Sequence, residues 1–581
     1  MFSAANARLE TIPEEEEEQE LQKKLEEIKK GWILKPKEMK RRRSSHLALK
    51  RCFWAIVLAS VIIALPIIIV KNWPQPQNNP PPPDQYKVAL TKALQFFDAQ
   101  MSGRLPTSKN ISWRQDSGLK DGFKYGKGQL IGGYYDAGNN MKISFPMAFS
   151  MTMLSWSTIE YGHKYRAVEE YDHIRDIIRW GTDYLLLTFD SSATTIDHIV
   201  SQVGEADDLR CWQRPEDMAY SRPVHRAYEA ADLAGEVAAA LASASIVFID
   251  DKNYSQKLMK GATALFEFAR DHSKGQSDSK MNEVTAQMYK SSGFYDEFLW
   301  AASWMFYASG NCSYLTIATN PDKHAFLSTP ESRALSWDNK LPGARLLLTR
   351  LRIFLGPGYP YEAMLKEYHH MNDLNMCAFL KRFNFYNFTG GGLIQMNHRG
   401  FQYLQYAANA AFIASVYVDY MKAAGMPGWF CGGGYIVADD VKKFATSQVD
   451  YILGANPMNM SYVVGFGEKH PKQVHHRGFS IPDDGYHYSC TGGYQWRDSP
   501  KSNPNIIVGA MVGGPDGFDE FYDMRKYYKY TEPSLAGNAG LVAALISLTA
   551  SGGNLVDKNT MFTVIPPFSP SSPQPPPPWK P

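Results

Sequence analysis

The chain has 581 residues, of which 44% are hydrophobic and 13% aromatic, enough to bury a large core. Its net charge of +2 removes the usual electrostatic argument for a nucleic-acid partner. The near-neutral total hides an uneven N-terminus, acidic in EEEEEQELQKKLEEIKK and then densely basic from Lys37 to Cys52.

That basic run ends at FWAIVLASVIIALPIIIV, residues 53–70, which carries no charge. As a helix it would span about 27 Å, close to the roughly 30 Å of a bilayer core. Residues 1–52 are too long for the n-region of a signal peptide, and the bases precede the span, so the sequence predicts a single-pass type II membrane protein with a cytoplasmic tail. The proline-rich stretch 71–85 reads as a stiff spacer, and residues 86–563 as one large lumenal or extracellular domain. Five Asn-x-Ser/Thr sites, at Asn110, Asn253, Asn311, Asn387 and Asn459, all fall on that side and are candidate glycosylation sites. Residues 564–581 form a proline-rich tail that cannot build a core.

Within the large domain, stretches such as YDHIRDIIRWGTDYLLLTF, ADLAGEVAAALASASIVF, YDEFLWAASWMFYASGN and YLQYAANAAFIASVYVDYM place apolar residues three and four apart, and strand alternation is scarce. The expected class is all-α, with helix pairs closing into a toroid and long loops rich in Gly, Trp and Tyr building one face. Cys211, Cys312, Cys377, Cys431 and Cys490 are an odd set without metal-ligand spacing, read as buried free thiols with one disulfide among them at most.

Three loop blocks concentrate polar and aromatic residues beyond the needs of packing. In GGYYDAGNNMK, Asp136 precedes an apolar helical run, and the pattern leaves open whether it caps that helix or acts in a site. In HHRGFSIP, His475 and Arg477 stand in one turn. In FYDMRKYYKYTEPSLAGNA, Asp523 and Glu532 stand among tyrosines, a setting that can lift a carboxyl pKa into the range of a general acid.

These three blocks, in this order, resemble the active-site blocks of glycoside hydrolase family nine, the inverting endo-β-1,4-glucanases. The chain from Lys37 to Ala550, with CWQRPEDM, SWDNKLPGARLLLTRLRIFL and GGLIQMNH between the blocks, is similar to the plant, membrane-anchored KORRIGAN-type branch. The resemblance implies an (α/α) barrel of six inner and six outer helices, a β-1,4-glucan chain as substrate and no cofactor. It extends to cell-wall synthesis, with a cellulose-synthesis complex as a further partner.

It further implies Glu532 as general acid, Asp523 as a second acidic group that tunes the site, and His475 and Arg477 as contacts to sugar hydroxyls. Tyr134, Tyr135 and Trp212 would stack on glucose rings. Inverting chemistry needs one protonated and one ionised carboxyl about 6.5–9.5 Å apart. The family's first block reads Asp-Ala-Gly-Asp, and its second Asp is the base; here that position is Asn139, whose amide can hold a water but cannot take its proton. Loss of a general base costs typically about 10²–10⁴-fold. Asp136 is the remaining candidate base, and Leu209 stands where the family commonly has a sugar-binding His. Two functions follow from the resemblance: a hydrolase with Asp136 as a compromised base, or a protein that grips glucan without cutting it.

Overall fold

The computed structural model describes residues 84–565 apart from 108–110, 124–129, 194, 272–274, 276–287, 321–332, 397–401 and 554–555, together with 568 and, before 84, residues 22–24, 26, 54–55 and 57–58. Two units are distinguished, Met1–Pro82 and Pro83–Pro581, and in the first the described residues are helical. Nearly all of the expected membrane span at 53–70, most of the spacer and of the C-terminal tail, and Asn110 lie outside the described residues. Among those described, no helix is long and apolar enough to cross a membrane.

Among the described residues of the second unit, the twelve helices of seven residues or more alternate between two roles. α1 (Gln85–Gln100), α3 (Tyr171–Leu185), α5 (Lys252–Arg270), α7 (Cys312–Ala318), α9 (Glu362–Phe379) and α11 (Ala438–Leu453) are outer helices. α2 (Ser144–Ala167), α4 (Ala231–Val247), α6 (Tyr295–Ser309), α8 (Leu341–Phe354), α10 (Tyr403–Ala423) and α12 (Leu535–Leu548) are inner ones. The inner helices touch in the order α2, α4, α6, α8, α10, α12 and back to α2, which closes a ring, and each outer helix packs on an inner one.

Sequence explains the division. α4 is ADLAGEVAAALASASIV, apolar or small apart from Asp232 and Glu236 and buried at every position, as a helix packed on all sides must be. α3 buries one side, along the stripe of Ile174, Ile177, Ile178, Gly181 and Leu185 with Thr182 and Tyr184 beside it, and leaves its other face to solvent. Gly235 marks how closely the inner ring packs, since a Cβ there would lie 3.0 Å from the main chain of Glu297 on α6.

The ring encloses edge-to-face aromatics, Trp156, Trp300, Trp304 and Phe412, with centroids 5.0–6.1 Å apart. Buried ion pairs tie inner helices together: Arg350 of α8 to Glu160 of α2 at 3.0 Å, and Lys340, just before α8, to Glu297 of α6 at 2.9 Å. Removing one partner of such a pair would strand a charge in the core, at a cost of about 3–5 kcal/mol. Strands are short, as expected; Lys142–Ile143, Ile199–Val203 and Val224–Ala227 form a small antiparallel sheet at the loop face.

The cysteines correct the sequence reading. Among the described residues two disulfides are present, Cys211–Cys490 and Cys377–Cys431, and Cys312 is a free thiol. The partners are 279 and 54 residues apart in sequence, so only the fold brings them together.

Candidate active site

Residues at or just before the N-termini of five inner helices line one cleft of about 350 Å³. Pro146 comes from the first turn of α2, Tyr289 and Trp337 from the segments leading to α6 and α8, Gln402 and Gln405 from the start of α10, and Ser534 and Ala536 from the start of α12. Asp136, Asn139 and Glu532 complete its polar wall. The positive ends of helix dipoles favour anions there, by about 0.3–1 kcal/mol each.

Asp136 does not cap α2, whose N-cap residue Ile143 makes no side-chain cap bond. Its main chain is fixed instead by Asp136 N donating to Met141 O at 3.0 Å and by Leu535 N donating to Asp136 O at 2.9 Å. The carboxylate is 3% exposed; Oδ2 accepts a 2.6 Å bond from the Tyr289 hydroxyl and buried Oδ1 has no protein partner. Burial pushes its pKa up to about 6, against the pull of the Tyr289 bond. Tyr289 itself stays protonated, because burial and the neighbouring Asp136 hold its pKa well above the usual value.

Glu532 is 7% exposed, and Oε1 accepts the Gly138 N–H at 3.0 Å. Burial lifts its pKa to about 7; the charge of Arg477 and the Gly138 bond work against that rise, and the charge of Asp136 adds to it. Asn139 is also buried and lines the cleft, with Oδ1 accepting the Met141 N–H at 3.0 Å.

The HHR turn stands behind this wall. His475 Nδ1 lies 2.7 Å from Arg525 O; a carbonyl only accepts, so Nδ1 carries the hydrogen and Nε2 a lone pair. Burial, with Arg477 and Arg525 nearby, lowers the His475 pKa to about 4, so the ring is neutral. Its edge meets Trp212, with centroids 5.0 Å apart. Arg477 is buried and donates to three carbonyls, those of Cys211 at 2.9 Å, Gly138 at 3.1 Å and Asp208 at 2.5 Å. Its guanidinium thus joins the loops around the cleft.

Asp523 lies outside the cleft wall; its carboxylate accepts the N–H groups of Lys472 at 2.7 Å and Gln473 at 2.9 Å, fixing the chain that leads into His475. The aromatic expectations meet a different outcome. Tyr134 and Tyr135 are wholly enclosed, with hydroxyls bonded to Ile177 O and Ser117 Oγ, so neither presents a ring to a ligand. Trp212 is buried too, its Nε1 donating to Ser480 Oγ at 2.8 Å and its main chain to Cys490 O. The aromatics at the cleft are Tyr289, Trp337 and Tyr528. Trp337 belongs to the SWDNK stretch that carried part of the resemblance; Tyr289 follows no pattern that singles it out. Leu209 sits half-buried in the helical turn Ala206–Arg210.

Among the described residues no group of three or more His, Cys, Asp or Glu is placed to hold a metal ion. Asn253, Asn311, Asn387 and Asn459 are all exposed.

Fold and site together define a double-ring helical barrel with a carboxyl-lined cleft at the N-terminal ends of its inner helices. The chain belongs to Glycosyl hydrolase family 9, whose sequence profile matches residues 86–545. It is 52% identical over 579 residues to endoglucanase 7 of Arabidopsis thaliana, covering 96% of this chain and 93% of that one. Its fold is similar to that of an endoglucanase from the termite Nasutitermes takasagoensis, with a TM-score of 0.69 and 33% identity over 80% of this chain and 98% of that one. It is similar also to endoglucanase CelQ from Clostridium thermocellum, solved with cellobiose and cellotriose, with a TM-score of 0.66 and 29% identity over 85% and 73% of the two chains.

Proposed function

We propose that this protein is a membrane-anchored endo-β-1,4-glucanase that hydrolyses non-crystalline glucan with inversion during plant cell-wall synthesis. The observation that carries the reading is the pair Asp136 and Glu532 in one cleft, with pKa values raised to about 6 and about 7. Near neutral pH, Glu532 keeps a proton for the leaving glycosidic oxygen while Asp136 is largely ionised and takes one from water. The relatives named as endoglucanases, and CelQ with its bound cello-oligosaccharides, support a β-1,4-glucan as the substrate.

Asp523 and Arg477 fit positioning parts in this scheme, one holding the His475 loop and the other joining that loop to Gly138. His475, neutral with a lone pair on Nε2, can accept a sugar hydroxyl. The uncharged block at 53–70 and the exposed sequons favour a type II protein whose barrel lies outside the cytoplasm. A mobility shift on glycosidase treatment, and resistance of the chain to alkaline extraction from membranes, would be expected; a soluble, unglycosylated product would refute the anchoring.

A second reading rests on Asn139, an amide in the cleft wall where the family carries its base. In that case the protein grips glucan without cutting. The deciding experiment is hydrolysis of a soluble β-1,4-glucan by wild type, Asn139→Asp and Glu532→Gln. Wild-type turnover that Glu532→Gln abolishes supports the enzyme, whereas an inert wild type beside an active Asn139→Asp shows the amide to be a missing base and the natural chain to be a binder.

A further inference from the structure

Gln100 is the last residue of α1 and is wholly buried. Its Nε2 donates to the carbonyls of Tyr135 at 3.2 Å and Ala137 at 2.9 Å, the residues on either side of Asp136. Its Oε1 lies 2.9 Å from Nε2 of His476, the residue between His475 and Arg477. Its main-chain carbonyl accepts the Tyr135 N–H at 2.9 Å.

These bonds fix a tautomer. Both amide hydrogens go to carbonyls, so Oε1 is the acceptor and His476 Nε2 must be the donor. His476 Nδ1 is then the bare nitrogen, in keeping with its lack of a partner in a site where burial and Arg114 keep the ring neutral. Every hydrogen of the Gln100 amide is thereby used, and each bond ends on one of two loops that build the cleft.

We propose that Gln100 is a positioning residue of this site, fixing the main chain on both sides of Asp136 and locking it to the loop that carries His475 and Arg477. A buried glutamine with satisfied bonds is ordinary; the placement of these bonds is what singles it out. The carboxylate of Asp136 is held by one hydrogen bond from a separate segment, that of Tyr289, so its aim depends on its own backbone. Displacing a catalytic group by about 1 Å can cost a hundredfold in rate. The inference rests on the hydrolase reading for its effect on turnover, and not for the geometry.

The test uses the full chain with Gln100→Met, which keeps the volume and removes every side-chain hydrogen bond while the main-chain bond to Tyr135 stays, and Gln100→Glu, which keeps an acceptor for His476 and loses both donors at neutral pH. Hydrogen exchange in segments 134–139 and 475–477 should quicken at least about tenfold in Gln100→Met, while α2 and α12 keep wild-type protection. On a soluble β-1,4-glucan, kcat should fall about tenfold to a hundredfold in both variants with KM nearly unchanged. The acid limb of the pH profile should move to higher pH as the Tyr289 bond to Asp136 is lost. Unchanged exchange in 134–139 of a folded variant, or a raised KM with kcat intact, would overturn the proposal. Should neither variant fold, wild type decides, because segment 134–139 must exchange as slowly as the inner helices and rapid exchange there refutes the clamp. An inert wild type would overturn the hydrolase reading alone, with the exchange data still judging Gln100.

Discussion

Gly138 donates its main-chain N–H to Glu532 at 3.0 Å while its carbonyl accepts both the main-chain N–H and the guanidinium of Arg477. One residue without a side chain therefore joins the three loop blocks. A Cβ at this position would lie 1.9 Å from His475 O and 3.0 Å from Glu532 Oε1, so the chain has room for glycine alone. Gly138→Ala is expected to cost about 1–3 kcal/mol of stability, as overpacking does, and to remove most of the activity. Thermal unfolding and glucan hydrolysis on one preparation check both parts; a variant with wild-type melting and turnover would show that the loops can part freely.

The two carboxyls set a pH profile whose limbs have definite signs. In the proposed hydrolysis Asp136 is the ionised partner, so kcat/KM falls as pH drops below about 6, and Glu532 the protonated one, so it falls as pH rises above about 7. A narrow bell with its maximum between those values is expected. A plateau extending to pH 9 would exclude Glu532 as the acid.

Tyr289→Phe removes the hydroxyl that donates to Asp136 Oδ2. That bond opposes the effect of burial, so without it the Asp136 pKa rises further and the acid limb shifts to higher pH. A hydrogen bond to a charged group is worth about 1.5–3 kcal/mol, which predicts a loss of roughly tenfold or more in kcat/KM near neutral pH. A fall in rate without any shift of the limb would point instead to a contact between Tyr289 and the substrate.

The Cys211–Cys490 disulfide ties the loop of Trp212, whose N–H donates to Cys490 O, to the loop after the HHR turn. Replacing both cysteines by serine is expected to cost about 2–5 kcal/mol. Melting temperatures of the variant and of wild type, each with and without reductant, give the check: reduction should lower both, and wild type by more, because the variant has only Cys377–Cys431 left to lose.

How much of this was readable beforehand varies by residue. The inner helices are legible in long apolar runs such as that of α4, and a carboxylate beside aromatics singles out Glu532 in the sequence itself. Tyr134 and Tyr135 misled because an aromatic beside a catalytic block has the same letter whether it faces the cleft or the core; the bonds to Ile177 O and Ser117 Oγ belong to tertiary structure. Tyr289 was invisible because its neighbours have no periodicity and its partner lies 153 positions away. The cysteine pairs escaped for the same reason, since no spacing rule relates residue 211 to residue 490. Asn139 was the opposite case, legible only because its block could be compared with a known one.

The inner ring closes between its first and last helices, α2 and α12, and Asp136 and Glu532 stand just before those two helices, joined by the bond from Leu535 N to Asp136 O. Assembly therefore sets when the cleft can exist. While the chain is being synthesised, the half of the site carrying Asp136 emerges some four hundred residues ahead of the half carrying Glu532, and the two meet only when nearly the whole barrel has left the ribosome. A truncated or stalled chain lacks Glu532 and the seam together, so the two carboxyls come to share a cleft only in a chain that is nearly finished.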